Sequence, residues 1–119
     1  MNKLPHDHGT STEFLEARPS EETFGKASDA FSLIGDSTRL KILWLLCHSE
    51  ECVINIAAAI DMSSPAVSHH LKVLKQAGVI TSKRVGKEAY YTLADTEEAE
   101  IIHNAIDKIL DIKCSKNKI

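Results

Sequence analysis

Between Met62 and Ile80 the sequence reads MSSPAVSHHLKVLKQAGVI, and this stretch admits one regular structure, a short helix with two unlike faces. Val67, Leu71 and Leu74 recur at i, i+4 and i+7, the period of one apolar stripe. Ser64, Ser68, His69, Lys72, Lys75 and Gln76 are left to face outward. Pro65 suits the first helical position, and Gly78 marks the stop. A helix held by its back, with hydroxyls, imidazoles and ammonium groups in front, suits the DNA major groove. It also suits a plain solvated face, and periodicity does not separate the two.

Charge does separate them. The chain has 119 residues and a net charge of −3, which argues against a general coat for nucleic acid. Residues 63–90, however, hold Lys72, Lys75, Lys83, Arg84 and Lys87 against Glu88 alone, a net +4. The segments on either side are acidic. A basic segment in an otherwise acidic chain is a localised electrostatic footprint.

The rest of the chain supplies a scaffold. Residues 1–20 lack a sustained apolar period and are expected to form a flexible N-terminal arm. Ser20 then caps a helix with Phe24, Ala27, Phe31 and Ile34 on its apolar face, ending at Gly35. Asp36 or Ser37 caps a second, with Leu40, Leu43, Trp44 and Cys47 as its expected buried side. After the polar break at 48–51, Val53, Ile56, Ala57 and Ile60 predict a short third helix. Asp61-Met62-Ser63 turns the chain into the helix described above.

Past Gly78 the period changes to two. Residues 79–84 and 88–93 are predicted strands around Val85-Gly86-Lys87, a hairpin with a basic tip. Ala99, Ile102, Ile106 and Ile109 restore the helical period to about Ile112, and residues 113–119 form a lysine-rich tail. The order predicts a mainly α fold with a β-hairpin wing, a winged helix-turn-helix over residues 21–112. An apolar stripe on the terminal helix suits dimerisation through the terminal helices. No apolar run approaches the roughly 18 residues of a membrane span, so no membrane role and a cytoplasmic location are expected.

These elements carry a resemblance. LIGDSTRLKIL at 33–43, Glu51-Cys52-Val53, Ser68-His69-His70-Leu71-Lys72 and KEAYYTL at 87–93 resemble, in order and spacing, the ArsR/SmtB family of winged-helix repressors. The resemblance covers residues 24–112. It implies a homodimeric repressor, not an enzyme, that leaves its operator DNA when an inducer binds, most often a metal ion such as zinc or cadmium. Carried over residue by residue, it implies base reading by Ser64, Pro65, Ser68 and His69, and phosphate contacts from Lys72, Lys75, Lys83, Arg84 and Lys87.

It also implies inducer sites, and here the chain departs from the family. Where the family pattern is Glu-(Leu)-Cys-Val-Cys, Cys52 is present but Ile54 takes the second cysteine's place. One thiolate does not make a tight soft-metal site, so His6 and His8 of the arm, or Cys47 and His48, are candidate additional ligands. On the last helix Asp95, Glu97 and Asp111 fit the family's ligand spacing, but Lys108 holds the remaining place, and an ammonium is no ligand. A shifted site remains open. Glu100, His103 and Asp107 lie at i, i+3 and i+7, and with Asp95 from either protomer they would hold Zn2+ through nitrogen and oxygen.

Three other readings stay open beside the metal-responsive one. An odd count of three cysteines is no disulfide framework, yet Cys52 could pair with Cys47 or Cys114 in a thiol-based redox sensor. A hydrolase built on His6, His8 and an acid lacks a general base beside a cleft. A dimerising module that senses nothing is the last.

Overall fold

The computed structural model describes residues 5–6 and 11–110, so His8, Asp111 and Cys114 lie outside the described residues. The chain divides into two compact units, residues 1–31 and 32–119.

The first unit contains α1 (Ser11–Glu16) and most of α2 (Glu21–Ile34). Helix α1 falls where the sequence predicts an arm. At under two turns it is too short to display an apolar period, and such a helix is marginal by propensity alone. Ser20 caps α2 as expected, its hydroxyl accepting from the Thr23 amide at 3.1 Å. Arg18 bridges to Glu21 at 2.7 Å and lies over the Phe24 ring.

The second unit runs α3 (Ser37–His48), β1 (Glu51–Cys52), α4 (Val53–Ile60), α5 (Ser64–Gln76), β2 (Ile80–Val85), β3 (Glu88–Leu93) and α6 (Glu97–Ile109). The strands form one antiparallel sheet in the order β1-β3-β2. Its first strand has two residues, Glu51 facing Tyr91 and Cys52 facing Tyr90. The polar break expected at 48–51 thus ends in an edge strand, specified only by a partner far along the chain.

Asp36 and Arg39 explain one of the quoted sequence pieces locally. The Asp36 carboxylate caps α3 by accepting from the Arg39 amide at 3.0 Å. That hydrogen bond, aided by the charges of Arg39 and His70 and opposed by desolvation, lowers the Asp36 pKa from its ordinary value. The Arg39 guanidinium reaches back to the carbonyls of Leu33 and Ser32, at 2.8 and 3.3 Å, satisfying the closing acceptors of α2.

The core is built from Ile42, Leu43 and Leu46 of α3, Ile56 and Ala57 of α4, Val67, Leu71 and Leu74 of α5, Val79 and Ile80, and Ile102 and Ile106 of α6. Burying each large side chain contributes roughly 1.5–3 kcal/mol relative to leaving it in water. Two expected stripes are corrected. On α3 the buried side is Ile42, Leu43 and Leu46, while Trp44 is 40% exposed and Leu40 and Cys47 are half-buried. The segment LKILWLLC is apolar nearly all round, so its period does not choose a phase. On α6, Ile109 is 71% exposed rather than continuing the stripe of Ala99, Ile102 and Ile106.

Candidate nucleic-acid interface and metal-ligand cluster

Helix α5 is set by devices at both ends. Asp61 takes the left-handed conformation (φ 59°, ψ 52°), which an aspartate tolerates better than most residues, and turns the chain out of α4. Ser63 caps α5 by accepting from the Ala66 amide at 3.3 Å. At the other end Val79 donates to Leu74 and Gly78 to Lys75, with Gly78 at φ +79°, the paired bonds of a Schellman stop. Val67, Leu71 and Leu74 are buried, so the phase of the helix about its axis is fixed. Pro65, Ser68, His69, Lys72, Lys75 and Gln76 are exposed on the opposite side, and Ser64 is half-buried.

The wing stands beside this face. Lys75 donates to Ser82 of β2 at 2.8 Å, a direct link from α5 to the hairpin. At the tip Gly86 alone takes a positive φ, +63°, as in a two-residue type II′ turn, and Arg84, Val85 and Lys87 are exposed around it. Lys83 is exposed but lies 3.4 Å from Glu50, so part of its charge is answered within the chain. The residues expected to face DNA therefore sit on α5 and the hairpin, and Lys83 is the one among them that pairs with a carboxylate among the described residues.

A second constellation lies between the end of α3 and α6. His48 closes α3, and His103 and Asp107 sit one turn apart on α6. One ligand atom from each falls within 4.8 Å of the others, the group of three metal-ligating types found among the described residues. His103 Nε2 stands 3.3 Å from Asp107 Oδ2, and His48 Nε2 3.9 Å from Asp107 Oδ1. The two imidazoles meet edge to face, their centroids 5.9 Å apart. His48 Nδ1 lies 3.0 Å from the Trp44 carbonyl, which can only accept, so Nδ1 carries the hydrogen. His48 Nε2, His103 Nε2 and Asp107 Oδ1 are all buried without a hydrogen-bond partner.

The ligands expected from sequence are partly brought together. His103 and Asp107 meet, while Asp95 and Glu100 are exposed and outside the group. Both nevertheless line, with Cys47, Leu46, Leu93 and His103, an open cleft of about 430 Å³. Cys52 is buried at the start of α4, its side chain capping nothing. Cys47 and Cys52 carry thiols rather than a disulfide. His6 belongs to the first unit, and His8 and Cys114 lie outside the described residues. By spacing, His48 is a candidate ligand only as a neighbour of Cys52; its helical partners are far along the chain, and no local spacing reveals them.

Residues 36–82 match the bacterial regulatory protein arsR family. The chain is 34% identical over 102 residues to the HTH-type transcriptional repressor SmtB of Mycobacterium tuberculosis, a match covering 86% of this chain and 76% of that one. It is 46% identical over 65 residues to the cadmium resistance transcriptional regulatory protein CadC of Listeria innocua, covering 54% of this chain and 55% of the relative. Among solved structures, a homodimeric winged helix-turn-helix DNA-binding domain from Mycobacterium bovis superimposes with a TM-score of 0.65 at 26% identity, covering 80% of this chain and 90% of that one.

Proposed function

Since the chain belongs to the ArsR family of bacterial regulatory proteins, whose members are DNA-binding transcriptional regulators rather than enzymes, we propose that it is a homodimeric operator-binding repressor released from DNA by a divalent metal ion. The observation that carries the DNA half is the orientation of α5. Its apolar stripe of Val67, Leu71 and Leu74 is committed to the core, so Ser68, His69 and Lys72 lie off the packed side and are presented together. Ser64, Pro65, Ser68 and His69 read base edges. Lys72, Lys75, Arg84 and Lys87 hold phosphates and set register, with Lys83 contributing less because of Glu50.

Dimerisation is supported by apolar side chains that a single chain leaves in water. Ile101, Ile109 and Leu110 are exposed on or just after α6, and separately Phe24 and Phe31 on α2. A second copy covering these faces would place two α5 helices on two half-sites of one operator. No helix among the described residues is long and apolar enough to cross a membrane. Metal release is supported by the cadmium resistance regulator CadC among the chain's relatives and by the orphaned ligand atoms between α3 and α6.

Selection from a pool of randomised duplexes by the full chain tests the reading. The enriched sequences are expected to be inverted repeats with half-sites about 10–10.5 base pairs apart, centre to centre. Enrichment of nothing beyond the starting pool would overturn it.

A further inference from the structure

We propose that His48, His103 and Asp107 form a binding site for one divalent, zinc-like cation within a single protomer, tying the end of α3 to α6. The three side chains are mismatched in hydrogen bonding. His48 spends its Nδ1 hydrogen on the Trp44 carbonyl, so in the neutral ring Nε2 presents a lone pair. That lone pair faces Asp107 Oδ1 at 3.9 Å, acceptor against acceptor, and both atoms are buried with no other partner. His103 Nε2, also unpartnered, completes the ring of three. A buried polar group without a partner costs about 1–3 kcal/mol. One cation shared by all three atoms removes every one of these deficits together.

The geometry suits the ion. Four tetrahedral ligands about 2.0–2.1 Å from zinc stand about 3.4 Å from one another. The 3.3 Å separation of His103 and Asp107 already meets that, and the 3.9 Å separation of His48 and Asp107 needs only a small closure. The hydrogen bond from His48 Nδ1 to a backbone carbonyl is the outer support that ligating imidazoles commonly have. The cleft beside His103 gives entry from solvent and room for water in a fourth position. Two imidazoles and a carboxylate, with no thiolate, favour zinc, cobalt or nickel over cadmium.

The position also suggests what the ion regulates. Only Ser49 and Glu50 separate His48 from β1, which leads directly into α4 and α5. An ion at this site couples the helix bearing the exposed apolar stripe to the entry of the DNA-reading pair. This regulatory half rests on the reading of the chain as a metal-released repressor.

Zinc titration of the full chain against a competing chelator, with operator affinity followed in parallel, tests both halves. The wild type is expected to bind one zinc per chain. His48→Gln and His103→Gln should each weaken binding at least about a hundredfold, since even loss of an outer-shell partner costs roughly ten- to a hundredfold. Cys52→Ser should leave affinity unchanged. Imidazole nitrogen resonances of the wild type, which need no variant to fold, should shift at Nε2 of His48 and His103 when zinc is added. Unchanged resonances, variants that bind zinc as the wild type does, or loss of binding in Cys52→Ser would overturn the site. Zinc held by the three residues with operator affinity unmoved would uphold the site and remove the metal-release reading. Zinc-driven release that survives His48→Gln would keep that reading and reject this site as the sensor.

Discussion

Helices α5 and α6 are each 13 residues long and bury three residues apiece, Val67, Leu71 and Leu74 in one, Ala99, Ile102 and Ile106 in the other. Their backs are alike; their fronts are not. The front of α5 carries hydroxyl, imidazole and ammonium groups, which are stable in water and ready for a polyanion. The front of α6 carries Ile101 and Ile109, 61% and 71% exposed, which are stable in water only at a cost. On its flank stand His103 and Asp107 with unmet hydrogen-bonding capacity. On the proposed reading, one fold uses the same helix–core contact twice, once to aim a surface at DNA and once to hold a surface for another copy of the chain.

The largest expected effect tests the likeness of the backs. Leu71→Ala and Ile106→Ala, both 1% exposed, should each cost about 2–5 kcal/mol in chemical denaturation. A much smaller loss for Ile106→Ala would show that α6 is a loosely attached addition rather than part of the core. The fronts are next. Ile109→Glu should leave the monomer fold intact while weakening self-association by about 2 kcal/mol or more, the loss that marks an interface hot spot, as read by sedimentation. An equally strong dimer would move the interface elsewhere.

Within the DNA face the expected losses divide by chemistry. Ser68→Ala should reduce discrimination between operator and random duplex by about 1–3 kcal/mol. Lys87→Ala should weaken both alike and lower the salt slope by about 0.9, the share of one phosphate. Anisotropy titrations at several salt concentrations distinguish these patterns, and equal losses on both duplexes for Ser68→Ala would break the division of labour. The smallest effect concerns α3, which backs both helices. Because the folded-state pKa of Asp36 lies below its ordinary value of 3.8, its contribution is present above that value and is lost as pH falls through the folded-state pKa. Asp36→Asn keeps a capping oxygen that does not titrate, so the variant should lose less stability than the wild type on acidification below about pH 4. Identical acid profiles would remove the Asp36 cap from the account.

The same contrast explains what could be read from the residues alone. The apolar positions of α5 are sparse and regularly spaced among polar ones, so the back of that helix, its stop at Gly78 and the following hairpin were legible. Helix α3 is apolar on nearly every side, so its period did not reveal that Trp44 points away from the core. Strand β1 is two residues long and exists only because Tyr90 and Tyr91 lie opposite it. His103 and Asp107 were visible as a helical pair at i and i+4. Their third partner, His48, comes from the other end of the unit's sequence, and only the packing of α3 on α6 brings it there.

The most direct test of the contrast between the two helices is amide chemical-shift mapping of the isotopically labelled chain as a selected operator duplex is added. The largest changes are expected on the exposed face of α5 and at the hairpin tip around Gly86 and Lys87, with α6 contributing little. Changes centred on α6, with α5 unmoved, would contradict it.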